Sequence, residues 1–300
     1  MQTFRQAIRT RDFTLSAELK LDARSTPGSI VDQGRTLATM VDAVQVTDNP
    51  IGRVHMSPLV AAGVLLRHEI DPVLHMNCRD RNRVALHSDL LGAAALGVTS
   101  LLIMRGQKYP KDLSPKVKGV FDWGVNRLIA DARAMRSDPG IPNPPDFFIG
   151  SIATAFDPNK GWEPKKMSTK ADAGIKFVQT QLCFDIDLIK RYMTELIAAH
   201  LLERVSVVIG VAPIPSADIA EWLKANLRGS VVPEATIRRL RQAIDPRQEG
   251  IRICADLLQQ LAVIPGVSGA SIMSFGDAES VVQAVDESGL RKSQVNGNES

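Results

Sequence analysis

With 300 residues, 44% of them hydrophobic and 23% charged, the chain holds apolar material for one large core or two modest ones. Its 36 basic and 33 acidic residues are scattered and leave a formal charge of +3, so no nucleic-acid footprint stands out and a polyanion partner is not expected. Cys78, Cys183 and Cys254 are odd in number and lack CxxC spacing, which argues against a disulfide framework or zinc site and suits a reducing cytoplasm; no run nears the roughly 18 apolar residues that span a membrane, and the first eleven residues lack an export signal's apolar stretch.

Short β-branched or apolar runs recur along the chain, most followed by a stretch with apolar residues three or four apart. The run at 13–19 carries Ser16, Ala17 and Glu18. The run at 43–47 leads into Thr47, Asp48 and Asn49, ahead of a helical pattern at 54–68. Next, 72–76 continues through His75 and Met76 to Asn77 and Cys78, before a helical pattern at 83–96. The run at 100–104 flows into Arg105, Gly106 and Gln107, then a polar loop at 109–118 and a helical pattern at 121–135. Four prolines mark 137–145 as another loop. Further runs at 147–152, 177–181, 205–209 and 269–273 alternate with helical patterns at 163–173, 186–202 and 246–261.

Eight such runs predict an α/β fold of the (β/α)8 TIM-barrel type, one domain over residues 1–287 with a polar, frayed tail at 288–300. An open doubly wound sheet uses the same alternation, but no GxGxxG follows a strand. Gly92 and Gly97 form a GxxxxG without the following Lys-Ser/Thr and read as helix packing. Neither HExxH nor GxSxG is present, which leaves zinc hydrolysis and triad chemistry without support.

In a (β/α)8 barrel the loops at the carboxyl ends of the strands build the active site, so the polar strand ends near Glu18, Thr47, His75, Arg105 and Gln181 converge on one mouth. Each also has a plainer reading. Glu18 can pair with Lys20 or Arg105, His75 can be a satisfied core histidine, Gln181 can serve backbone groups, and Gly106 can supply a positive φ. Asp80, Arg81 and Arg83 read as a solvated, helix-capping cluster, and Cys78 as incidental.

The ordered set Val46-Thr47-Asp48-Asn49, His75-Met76-Asn77-Cys78-Arg79-Asp80-Arg81-Asn82, Arg105-Gly106, and Ala173-Gly174 leading to Thr180-Gln181-Leu182-Cys183-Phe184-Asp185 resembles the methylenetetrahydrofolate reductase family over roughly residues 13 to 285. The resemblance implies a barrel with noncovalent FAD, where NADH or NADPH and a folate use one flavin face in turn. By the same match Glu18 takes the place of the general acid that protonates the departing folate amine. Thr47, His75, Arg105, Gly106, Ala153, Glu163 and Lys170 fall at flavin-contacting positions, and Gln181 at the position that hydrogen-bonds the pterin. Three features depart from the family pattern. Gln107 stands where better-known members carry an aspartate beside flavin and pterin, Ala217 where a phenylalanine sandwiches folate or nicotinamide, and Leu19-Lys20-Leu21 where aromatic residues and a double proline usually follow the glutamate.

The expected activity is FAD-dependent interconversion of 5,10-methylenetetrahydrofolate and 5-methyltetrahydrofolate, in a cytoplasmic homo-oligomer that binds neither nucleic acid nor membrane. Two alternatives stand beside it. One is a related one-carbon-carrier oxidoreductase working mainly in the oxidative, methyl-catabolic direction; the other is a noncatalytic flavin- or folate-binding subunit.

Overall fold

The eight runs form eight strands that pair in sequence order, all parallel, and close on themselves in a computed structural model that describes residues 1–110, 113, 115–159, 161–275 and 277–291. The strands are β1 (Thr14–Leu19), β2 (Ala43–Val46), β3 (Pro72–Asn77), β4 (Ser100–Met104), β5 (Phe148–Ala153), β6 (Phe177–Leu182), β7 (Ser206–Val211) and β8 (Val267–Ile272). The helices are α1 (Phe4–Thr10), α2 (Pro27–Ala38), α3 (Pro58–Leu66), α4 (Arg83–Leu96), α5 (Val125–Ala134), α6 (Lys165–Ala173), α7 (Ile186–Ala198), α8 (Ala217–Asn226), α9 (Glu234–Gln242), α10 (Pro246–Ala262) and α11 (Ala278–Ser288). Ala17 opposite Ile272 closes the barrel, and Glu18 lies opposite Gln45. This is the expected (β/α)8 barrel.

The period of two along each strand divides the core. Leu15, Ala17, Val44, Val46, Leu74, Met76, Leu101, Ile103, Val178 and Leu182 join the large cluster beneath the helices. Ala43, Val73, Leu102, Phe148, Phe177 and Val208 form a second cluster inside the barrel. The same parity turns Ser16, Glu18, Gln45, Thr47, His75, Asn77, Gln179 and Gln181 inward. α1 closes the amino-terminal end: Phe4 joins the inner cluster, its ring edge-on to Phe177 at 5.2 Å, and Phe177 stacks on Phe148 at 5.2 Å. Gly150 makes room for these rings, since a Cβ there lies 2.2 Å from Phe177. An apolar floor thus leaves the polar inner residues facing the carboxyl-terminal mouth.

Several expected boundaries move, for local reasons. α3 starts at Pro58 rather than 54, because proline is favoured in a first helical turn and the preceding residues fold into a loop around His55. α5 starts after Gly124, and Phe121 takes a φ of 46° incompatible with a helix. α6 begins only after Pro164, which leaves Glu163 in a loop, and α7 stops at Ala198, ahead of left-handed His200. Gly92 approaches Leu59, where a Cβ would lie 3.1 Å from Leu59 Cδ2, and Gly97 ends α4, so this pair serves packing and capping. At the expected tail, Ser288 is buried in the last turn of α11 and Arg291 donates to Phe13 O at 3.0 Å; 292–300 lie outside the described residues. No helix among the described residues is long and apolar enough to cross a membrane.

Candidate active site

Glu18 sits one turn of the pleat above Ser16 at the mouth, partly buried, and its carboxyl makes no hydrogen bond or ion pair with a described residue. The alternative partners do not reach it: Lys20 is exposed, and Arg105 is exposed with its guanidinium 4.3 Å from the centroid of the Phe121 ring. Lost hydration without a compensating cation raises the Glu18 pKa to about 7.

Below it lies a chain of buried polar groups. Gln45 Nε2 donates to Ser16 Oγ at 2.8 Å and to Gln179 Oε1 at 2.7 Å, and Gln45 Oε1 lies 2.7 Å from His75 Nε2. Burial, with a smaller contribution from His55, lowers the His75 pKa to about 3, so the ring is neutral. Thr47 Oγ1 lies 3.4 Å from His55 Nε2, which also accepts from Asn49 N–H at 3.0 Å and so fixes the loop after β2.

The loops after β2, β3 and β4 are joined by Arg79. Its guanidinium donates to Gln107 O at 2.9 Å, to Asn49 O at 3.0 Å and to both Asp80 carboxylate oxygens. Burial opposes ionisation of Asp80, but hydrogen bonds from Arg79, Tyr109, Asn77 and Asn49 outweigh it and hold this carboxyl below the usual range. Gly106, at φ 85°, packs directly on this arrangement; a Cβ there lies 2.8 Å from Arg79 Cβ. The structure therefore corrects the solvated-cluster reading. Asp80 and Arg81 are mostly buried and tied down, Arg81 to Asp48 and, at 2.8 Å, to Asp89, while Asn82 caps α4 and the Arg83 N–H donates to Asp122. The fixed charges would be costly to bury singly and offset one another as a network, which leaves Arg81 Nε as its one buried side-chain atom without a partner among the described residues.

A cavity of about 500 Å³ opens between β5, α6 and α7, lined among others by Ala153, Phe156, Trp162, Lys166 and Lys170. Trp162 meets Phe156 edge-on at 4.9 Å, and Lys170 Nζ donates to Ile152 O at 2.6 Å. Burial, and then the neighbouring Lys166, lower the Lys170 pKa. Glu163 stands exposed at the rim, 3.2 Å from Lys165. Aromatic walls beside cations suit an anionic ligand with a flat ring system.

Of the residues singled out from sequence, Glu18, Thr47, His75 and Gln181 thus share the inward face of the barrel, Gly106 and Gln107 lie on the loop held by Arg79, and Ala153, Glu163 and Lys170 line the separate cavity beside α6 and α7. Arg105 is drawn aside onto Phe121, and Ala217 opens α8 buried in the outer core. Gln45, Gln179, Tyr109 and Trp162 were not singled out; for the two glutamines the readable signal was a polar side chain at an inward position of a strand. All three cysteines are buried and free, and no group of three His, Cys, Asp or Glu among the described residues could hold a metal ion.

Comparison with known proteins gives this geometry its context. The profile of the family described as Methylenetetrahydrofolate reductase matches residues 3–289. The chain belongs to the methylenetetrahydrofolate reductase family. A relative from Caenorhabditis elegans, described as a probable methylenetetrahydrofolate reductase (NADPH), is 28% identical over 149 residues. The match spans 48% of this chain but only 21% of that protein. Among solved structures, an uncharacterized protein from Clostridium thermocellum that binds two copies of 5-methyl-5,6,7,8-tetrahydrofolic acid superposes with a TM-score of 0.61 at 10% identity, covering 95% of this chain and 96% of that one. DmoA from Hyphomicrobium sulfonivorans gives 0.57 at 9% identity, covering 91% of this chain and 86% of its own. At such identities the likeness is one of fold.

Proposed function

We propose that this protein is an FAD-dependent oxidoreductase interconverting 5,10-methylenetetrahydrofolate and 5-methyltetrahydrofolate, with NADH or NADPH as the other substrate. The observation that carries the reading is Glu18, a carboxyl with no partner among the described residues, at the mouth of a methylenetetrahydrofolate reductase-family barrel and with its pKa raised to about 7. Opening the methylene bridge expels a folate amine that must gain a proton, and an acid near half-protonation at neutral pH supplies it.

The residues around the mouth fit a flavin nucleotide. Lys166 and Lys170 place positive charge beside the aromatic walls of the cavity, where a diphosphate and an adjoining ring system find complementary surfaces. Ala153 offers a small side chain in the cavity wall, and Thr47 and His75 offer polar groups on the inward face of the barrel. Bound there, the flavin would supply the hydride relay that amino-acid side chains lack. The Gln181 side chain, inward-facing and without a hydrogen bond to a described residue, offers both a donor and an acceptor to a pterin edge. The buried thiols accord with a cytoplasmic setting.

A second reading, operation mainly as a methyl-oxidising enzyme, draws on Gln107, whose neutral side chain does not oppose negative charge on a reduced flavin as an aspartate would. A noncatalytic binding subunit is less well supported, because mere binding gives no use to an acid held near 7.

Anaerobic stopped-flow measurements on the flavin-loaded protein and Glu18→Gln test the proposal. Both should be reduced by NADH or NADPH, while folate reduction in the variant should fall on the order of 10²–10⁴-fold. Near-normal folate turnover in the variant removes Glu18 as the acid; a wild-type flavin that neither nicotinamide nor 5-methyltetrahydrofolate reduces overturns the activity.

A further inference from the structure

The buried polar chain beneath the mouth has a direction. Both hydrogens of the Gln45 amide are committed, one to Ser16 Oγ at 2.8 Å and one to Gln179 Oε1 at 2.7 Å. Only its oxygen remains for His75, 2.7 Å from Nε2, and an oxygen at that distance requires a proton on the ring nitrogen. A neutral imidazole with its proton on Nε2 carries a lone pair on Nδ1. His75 is only 3% exposed, and Nδ1 makes no hydrogen bond with a described residue. Among the described residues the side-chain atoms sealed from solvent without a partner are Arg5 Nε, Thr14 Oγ1 and Arg81 Nε; Nδ1 is not one of them, so it is not sealed from solvent.

We infer that Gln45 is a positioning residue that holds His75 as its Nε2–H tautomer and thereby presents Nδ1 as a hydrogen-bond acceptor to an N–H or O–H group of the ligand. The arrangement draws on three strands: Ser16 on β1, Gln45 on β2 and Gln179 on β6 each contribute one polar group to the chain. A ring so held repels a carbonyl or phosphate oxygen and attracts a donor edge, which selects the orientation in which a flat heterocycle settles. The identity of that heterocycle as flavin rests on the proposed function; the tautomer does not. With both amides rotated end for end, Gln45 would donate to Nε2 and the proton would move to Nδ1, so one measurement separates the two arrangements.

Nitrogen-15 NMR of histidine-labelled protein reads the proton directly. In the wild type His75 should show a pyridine-type Nδ1 and a pyrrole-type Nε2, unchanged between about pH 5 and 8. Gln45→Glu, which keeps an acceptor at this place, should retain that pattern. Gln45→Met, close in volume but without the acceptor, should lose it and weaken flavin binding about tenfold, the worth of one hydrogen bond. A pyrrole-type Nδ1 in the wild type, or an unaltered pattern in Gln45→Met, overturns the inference and leaves the flavin reading intact. Acceptor-type Nδ1 in a wild-type protein that takes up no flavin overturns the functional reading, and with it the ligand half of the inference.

Discussion

The guanidinium of Arg79 lies 4.6 Å from the centroid of the Tyr109 ring, and both residues bind one carboxylate, that of Asp80. Tyr109 Oη donates to Asp80 Oδ1 at 2.6 Å, so the loop after β4 is fastened to the end of β3 by stacking and by charge together. Arg79 is only 1% exposed, so its guanidinium depends on these partners rather than on solvent.

Removing the cation should therefore be costly. Arg79→Met leaves Asp80 without its main counter-charge and should lower the unfolding free energy by about 3–5 kcal/mol. Tyr109→Phe, which deletes one hydrogen bond to a charged acceptor, should cost about 1.5–3 kcal/mol. Urea unfolding measures both; a loss below about 1 kcal/mol in Arg79→Met would show that the network does not hold these loops.

Folate reduction should depend on pH through Glu18. The proton donor is the protonated acid, and its pKa is raised to about 7, so kcat/KM should be level below that value and fall about tenfold per pH unit above it. The limb should vanish from the residual activity of Glu18→Gln. A limb that persists in the variant assigns the titration to another group.

Asp71 should make the fold more stable in mild acid. Its carboxyl is 3% exposed, accepts from Phe4 N–H at 2.7 Å, and is raised by burial from 3.8 to about 6. The folded state then holds this proton more tightly than the unfolded chain, so stability is fullest below about pH 4 and is lost as pH rises through about 6, by about 3 kcal/mol in all. In Asp71→Asn this contribution is absent. The difference in unfolding free energy between wild type and variant should change in the sense that disfavours wild type from pH 4 to 7, and a difference independent of pH would refute the assignment.

Gln107→Asp should lower the midpoint potential of the bound flavin and slow its reduction by 5-methyltetrahydrofolate, since a carboxylate opposes the negative charge of the reduced ring. Arg79 holds the Gln107 carbonyl at 2.9 Å, so the substitution changes charge on a fixed backbone. Spectroelectrochemical titration reads the shift; an unchanged or higher potential would mean that the side chain does not face the ring.

The sequence by itself determined the barrel, because alternation at periods of two and of three to four is written by neighbouring residues and needs no distant contact. Their places at the ends of those runs put Glu18, Thr47, His75, Arg105 and Gln181 at one expected mouth, and the family motif supplied their expected roles. Only the tertiary structure decided what those positions contain. In the sequence Arg79 is one residue of the family motif with no partner to be read; barrel closure sets the carbonyls of Asn49 and Gln107, 30 and 28 residues away, against its guanidinium. Arg105 is turned onto Phe121 and Ala217 sinks into the outer core because of what packs around them, not because of their neighbours in the chain. The pKa of Glu18 and the acceptor nitrogen of His75 belong to this second class. Desolvation and tautomer depend on which groups several strands bring to one point, and that convergence exists only once the sheet has closed.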